Sequence, residues 1–203
     1  MSEQELRFAC DAMLRGLARW LRAWGWDATW TYGIDDAELL DEARREGRIV
    51  VTADRGILAR RTVKEGRPPA VGVSNAEPPL EQLFRLARDL GLERRPSRCM
   101  GCGGALHPVD KASVEAEAPP RTWRWRDAFQ RCERCGRLYW EGTHSDRIRP
   151  RLDALERRLA AARVQLRSLP GAAVELAAGS GKAAPEGGAP TGEAAEEEGP
   201  ASL

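Results

Sequence analysis

The chain has 203 residues, enough for one ordinary core with a small satellite and too few for two full-sized ones. Its formal charge of +1 hides an asymmetry: residues 170–203 hold six Glu against one Lys, so the first 169 residues carry +6 and the acidity sits in the tail. No basic start leads into an apolar run, and no stretch approaches the roughly 18 to 20 apolar residues of a membrane span; a soluble, cytoplasmic protein is expected.

In chain order, Leu6 to Cys10 is a short apolar run, a strand ending at Asp11. Met13, Leu14, Leu17, Ala18, Leu21 and Trp24 then recur at helical spacing until Gly25 stops them. Ala28 to Tyr32 gives a second, weaker strand, and Asp35 and Asp36 are placed to cap a helix over Ala37 to Glu46. Ile49 to Val51 forms a third strand closing in Thr52-Ala53-Asp54, followed by a third helix to about Lys64. Ala70 to Val73 is another strand, and Pro79 to Leu90 a helix ended by Gly91. Strands alternating with helices predict an α/β domain with a mainly parallel sheet over residues 1–95. Residues 96–146 change texture to cysteine pairs, glycines and tryptophans; residues 147–169 read as one charged helix, and residues 170–203 have the composition of a disordered acidic tail.

Cys99-Met-Gly-Cys102 and Cys132-Glu-Arg-Cys135 are two knuckles in which a tight turn presents two sulfurs to one tetrahedral Zn²⁺, the glycines that follow supplying the turn geometry. Four thiolates close the coordination sphere, so this zinc is expected to be structural. The competing readings, two disulfides or a redox pair, fit neither a reducing compartment nor paired knuckles. The 29 residues between the knuckles exceed the usual spacing and predict a loop or extended hairpin. Cys10 reads as a small buried residue inside a strand, and His144 as structural.

Asp11 and Asp54 close two strands and Asp36 opens a helix, positions that line the ligand crevice of an open parallel sheet. Converging carboxylates repel unless a cation such as Mg²⁺ or Mn²⁺ lies between them, and that cation can activate water for attack on phosphorus. Asp is also favoured at helix N-termini, so on pattern alone the metal and the helix-cap readings stand level.

The segments Phe8-Ala-Cys-Asp11-Ala-Met-Leu-Arg-Gly-Leu-Ala-Arg-Trp-Leu-Arg22, Asp36-Ala-Glu-Leu-Leu, Arg48-Ile-Val-Val-Thr-Ala-Asp54 and Arg137-Leu-Tyr-Trp-Glu-Gly-Thr-His144 together resemble the Mut7-C family, a compact PIN-like ribonuclease domain followed by a zinc ribbon; the resemblance spans about residues 6–155. It implies a PIN-like fold, single-stranded RNA as substrate class, and Asp11, Asp36 and Asp54 as acids holding Mg²⁺ or Mn²⁺. Two departures stand out. A further acid expected between the first strand and Asp36 has no clear match, with only Asp35 and Glu38 nearby, and Ala53 stands where the family commonly has Arg.

Lys occurs only at 64, 111 and 182, so the cations are arginines, as phosphate contacts favour and as coding bias also produces. Arg15, Arg19 and Arg22 share one side of the first helix near Asp11, able to hold a phosphate backbone or simply to form a solvated face. Arg121, Trp123, Arg124, Trp125 and Arg126 interleave cations and aromatics as single-strand binders do, although their alternation favours a hairpin with a half-buried tryptophan face. The expected function is a metal-dependent ribonuclease whose zinc ribbon helps dock RNA. The alternatives are a non-catalytic RNA- or protein-binding adaptor keeping the fold, and a toxin-type PIN nuclease.

Overall fold

The protein is described by a computed structural model covering residues 6–140 and 142–167. Four parallel strands, β1 (Arg7–Cys10), β2 (Asp27–Trp30), β3 (Ile49–Thr52) and β4 (Ala70–Gly72), form a sheet in the order β2-β1-β3-β4. The central strand β1 is buried on both faces: Phe8 and Cys10 pack with one cluster and Ala9 with the other, as a two-residue period requires. On the first face lie α1 (Arg15–Ala23) and α5 (Pro79–Asp89), on the second α2 (Asp36–Glu46). The α/β architecture is the one expected. α1 presses so close to α5 that a Cβ on Gly16 would sit 2.6 Å from Pro79 Cγ.

Local signals explain most boundaries. Asp35 caps α2 by accepting from the Glu38 amide at 2.8 Å, and Gly47, at φ 63°, ends it in the left-handed conformation. The first helix starts later than its apolar period, because Ala12–Leu14 form a 3₁₀ turn before α1. The third predicted helix is two: α3 (Arg55–Ala59) and α4 (Arg61–Lys64) are separated by Arg60, whose backbone is extended (φ −60°, ψ 137°) and whose guanidinium reaches Asp36 at 2.9 Å.

The second sheet is antiparallel, β5 (Leu106–Val109), β6 (Phe129–Cys132) and β7 (Leu138–Trp140) in that order, over a small core of Val114, Ala118 and Phe129. The stretch between the knuckles corrects one expectation. Arg121 to Trp125 belong to a short helix, α6 (Pro120–Trp125), not to a hairpin strand. Pro120 at its first turn has the φ a helix needs, and only Trp123 packs inward, its indole donating to the Lys111 carbonyl at 3.1 Å, while Trp125 is 73 % exposed.

The charged C-terminal helix is α7 (Thr143–Arg167). It returns to the first core: Leu152, Leu155 and Leu159 are buried there, and Arg158 makes a bidentate pair with Glu81 of α5 at 2.7 and 2.8 Å. The predicted acidic tail, residues 170–203, and the side chain of His144 lie outside the described residues.

Candidate active site and metal centre

The cysteines form a compact site. Cys99 Sγ lies 3.6 Å from both Cys102 Sγ and Cys135 Sγ, and Cys102 Sγ 3.5 Å from Cys132 Sγ. A tetrahedron of sulfurs about zinc at 2.3 Å has edges of about 3.8 Å, so the four sulfurs fit that ion and could hold it. Gly104 allows the fit, since a Cβ there would stand 2.8 Å from Cys132 Sγ. Burial pushes the Cys99 thiol up, but the Tyr139 hydroxyl at 3.0 Å and the Cys102 amide at 3.4 Å outweigh it and hold the thiol down, while burial and the neighbouring sulfurs push the Cys102 thiol up, the mutual opposition expected of thiols crowded together.

The acids lie along the carboxyl edge of the parallel sheet. In the order β2-β1-β3-β4 the chain leaves β1 toward one side and returns on the other, so the crevice of a doubly wound sheet opens between the ends of β1 and β3. Asp11 and Asp54 flank it. Thr52 ties them together: its hydroxyl donates to Asp11 Oδ2 at 2.6 Å and accepts from the Asp54 amide at 2.9 Å. Asp54 also caps α3, Oδ1 accepting from the Gly56 amide at 2.6 Å, whereas Asp11 makes no capping bond.

Asp36 stands apart. It is neither cap, a role Asp35 fills, nor joined to the other acids; it pairs with Arg60 at 2.9 Å. Among the described residues only the four cysteines bring three or more candidate ligand atoms within 4.8 Å of one another; Thr52 links the Asp11 carboxylate to the Asp54 backbone amide, and Asp36 is held to Arg60. The Asp36–Arg60 pair is weak: its side chains are 43 % and 42 % exposed, a setting in which an ion pair contributes on the order of 0.5 kcal/mol.

Charge balance distinguishes Asp11. The other buried acid, Asp27, is answered by Arg48 at 3.2 Å and Arg134 at 3.9 Å. Asp11, only 6 % exposed, has the Thr52 hydroxyl and no cation among the described residues. A buried carboxylate normally has a counter-ion, and Asp11 offers a hard oxygen donor of the kind a divalent cation takes, although among the described residues the three acids are not drawn together as a ligand set.

The three arginines of α1 separate. Arg15 is exposed with its guanidinium 5.4 Å from the Trp30 ring centre, and Arg19 is exposed. Arg22, expected to bind substrate, is instead buried: Nε donates to the Ala28 carbonyl at 2.8 Å and Nη1 to the Met100 and Gly101 carbonyls at 3.1 and 2.8 Å. It binds the first cysteine knuckle to the α/β sheet, so its guanidinium is taken up by carbonyls of the fold where an exposed cation was expected. Arg22→Ala should therefore destabilise the fold by about 3 kcal/mol, the cost of stranding buried carbonyls and losing a packed side chain; urea denaturation measures it, and a loss confined to RNA affinity would contradict the assignment.

Cys10 is the buried small residue it was expected to be, its thiol pushed up to about 12 by burial. Thr52 and Arg60 are what the sequence reading overlooked. For Thr52 a signal existed, a hydroxyl two residues before the Asp that opens a helix at a strand end. For Arg60 there was none, because no Gly or Pro marks the break in the helix.

A family model described as the Mut7-C RNAse domain matches residues 6–152, which includes both sheets, the three acids and all four cysteines of the metal site. No curated protein and no solved structure matches the chain.

Proposed function

The chain belongs to the Mut7-C RNAse domain family, and on that footing we propose a metal-dependent ribonuclease in which Asp11, Asp36 and Asp54 hold Mg²⁺ or Mn²⁺ at the crevice between β1 and β3. The observation that carries the reading is Asp11, a buried carboxylate without a cation among the described residues, at the topological switch point of the sheet. When bound, the metal supplies an activated water for attack on phosphorus and stabilises the leaving oxygen.

The protein's own residues do the rest. Thr52 fixes the Asp11 carboxylate through Oδ2, leaving Oδ1 free to ligate, and the Gly56 amide likewise fixes Asp54 through Oδ1. Asp36 joins them once it leaves Arg60, a separation the exposed pair resists only weakly. The released Arg60 guanidinium is then a donor for a phosphate oxygen, and Arg15 and Arg19 hold the backbone beside Asp11. The cysteine ribbon helps dock the RNA.

The test is cleavage of a mixed RNA pool by zinc-loaded protein, with and without Mn²⁺. Cleavage only with Mn²⁺ is expected; none under either condition would favour the adaptor reading, which the Asp36–Arg60 pairing supports. Thr52→Val adds a finer probe. It keeps the shape and removes the hydroxyl that orients Asp11, so cleavage should fall roughly 10- to 100-fold, the usual cost of losing a residue that orients a metal ligand, while circular dichroism stays native.

A further inference from the structure

We propose that the groove between α1 and β7 is a path for single-stranded RNA leading to Asp11, in which exposed arginines grip phosphates while tryptophan and tyrosine faces receive unpaired bases; this rests on the ribonuclease reading above. The groove encloses about 760 Å³, within the range of small-molecule sites. Arg15 and Arg19 of α1 line one wall, and Arg137, Tyr139 and Trp140 of the second sheet the other. Arg22 forms the floor, its guanidinium already bonded to three carbonyls.

Two features select the ligand. The charged side chains among the described residues that line the groove are four arginines, Arg15, Arg19, Arg22 and Arg137, a set that suits an anionic ligand. Aromatic rings stand between those cations: Trp30, with Arg15 at 5.4 Å from its ring centre, and the half-buried Tyr139 and Trp140. An acidic peptide would use the arginines and leave the rings idle, and a duplex hides its base faces. Single-stranded RNA uses both.

The groove also ends where the chemistry needs it. Trp30 pairs in register with Cys10, the residue before Asp11, and its indole donates to the Ala12 carbonyl, the residue after, at 2.8 Å. A base against Trp30 places its phosphate beside the carboxylate edge. Because one wall belongs to the cysteine ribbon, the path exists only when the ribbon is docked.

The experiment is fluorescence anisotropy of a short labelled oligoribonucleotide in buffer free of added divalent metal, with zinc-loaded wild type and the Arg19→Gln/Arg137→Gln double variant. The variant should bind about tenfold more weakly, and the slope of log K against log salt should shrink by about 1.4, roughly 0.7 for each single-strand phosphate that an arginine no longer neutralises. Wild type should bind the matching duplex at least tenfold more weakly than the single strand. If the double variant fails to fold by circular dichroism or zinc content, Arg19→Gln alone carries the test, because that side chain is exposed on α1 and makes no ion pair with another element among the described residues. RNA bearing 4-thiouridine should crosslink to Trp30, Tyr139 or Trp140. Unchanged affinity in the variants, or crosslinks confined to other residues, overturns the groove while Mn²⁺-dependent cleavage by wild type leaves the ribonuclease standing. A wild type that neither binds nor cleaves RNA overturns both.

Discussion

Stripping zinc from the protein is expected to unfold residues 97–145 and to weaken, without abolishing, the parallel sheet. The ribbon's own core is three buried side chains, Val114, Ala118 and Phe129, with Val109, Trp123, Leu138 and Trp140 packed partly against them. A core that small cannot offset the conformational entropy of about fifty residues, so the metal must supply the difference, and zinc binding by four thiolates is worth about 10 to 16 kcal/mol at neutral pH. The first sheet feels the loss through Arg22. With the knuckle unfolded, its guanidinium keeps the Ala28 carbonyl and loses those of Met100 and Gly101, and the backbone bond from the Arg98 amide to the Arg22 carbonyl at 2.8 Å goes too. Losing these buried partners should cost the remaining domain about 2 to 3 kcal/mol. Elemental analysis and hydrogen exchange before and after chelation read both effects. Freshly purified protein without zinc would sink the prediction, as would an apo form in which residues 97–145 keep native protection.

What the sequence disclosed and what it withheld divide along the range of the interactions. The β1–α1 unit, the Asp35 cap, the Gly25 stop and the two cysteine knuckles were legible because each is decided by neighbours a few residues apart. Arg22 was misread for the opposite reason. On α1 it repeats the spacing of Arg15 and Arg19, and only the docking of Met100 and Gly101, 78 and 79 residues away, buries it. In the stretch Arg121 to Arg126 alternation argued for a strand, while Pro119-Pro120 before it was the stronger cue, since proline opens a helix readily and donates nothing to a ladder. Asp11 and Asp54 stood out by their positions at strand ends and Asp36 by its place at a helix start. Of their partners, Thr52 had a local signal in its place two residues before Asp54, whereas the Arg60 guanidinium chooses Asp36 only after the chain is folded.

Asp11→Asn is the substitution with the largest expected effect on activity, and its effect on stability carries independent information. Cleavage should fall by orders of magnitude, because a neutral amide ligates Mg²⁺ or Mn²⁺ poorly at the one described acid that is buried without a cation. Affinity for RNA should hardly change if, as proposed, arginines hold the backbone. Without metal, an acid serving as a helix cap would lose on the order of 1 kcal/mol on removal of its capping oxygen. Asp11 makes no such bond; asparagine can still accept the Thr52 hydroxyl, and replacing the carboxylate removes a buried unpaired charge, so stability should hold or rise. The other acids give the contrast. Asp54→Asn keeps an oxygen for the Gly56 amide and Asp54→Ala loses it, so only the second should cost about 1 kcal/mol, while Asp36→Asn gives up the exposed Arg60 pair for on the order of 0.5 kcal/mol or less. Thermal melts in chelator, at a chelator strength that spares the zinc, measure the signs, and cleavage with Mn²⁺ measures the rates. Should all three Asp→Asn variants lose stability without metal and keep full nuclease activity, the acids are structural and the adaptor reading replaces the enzyme.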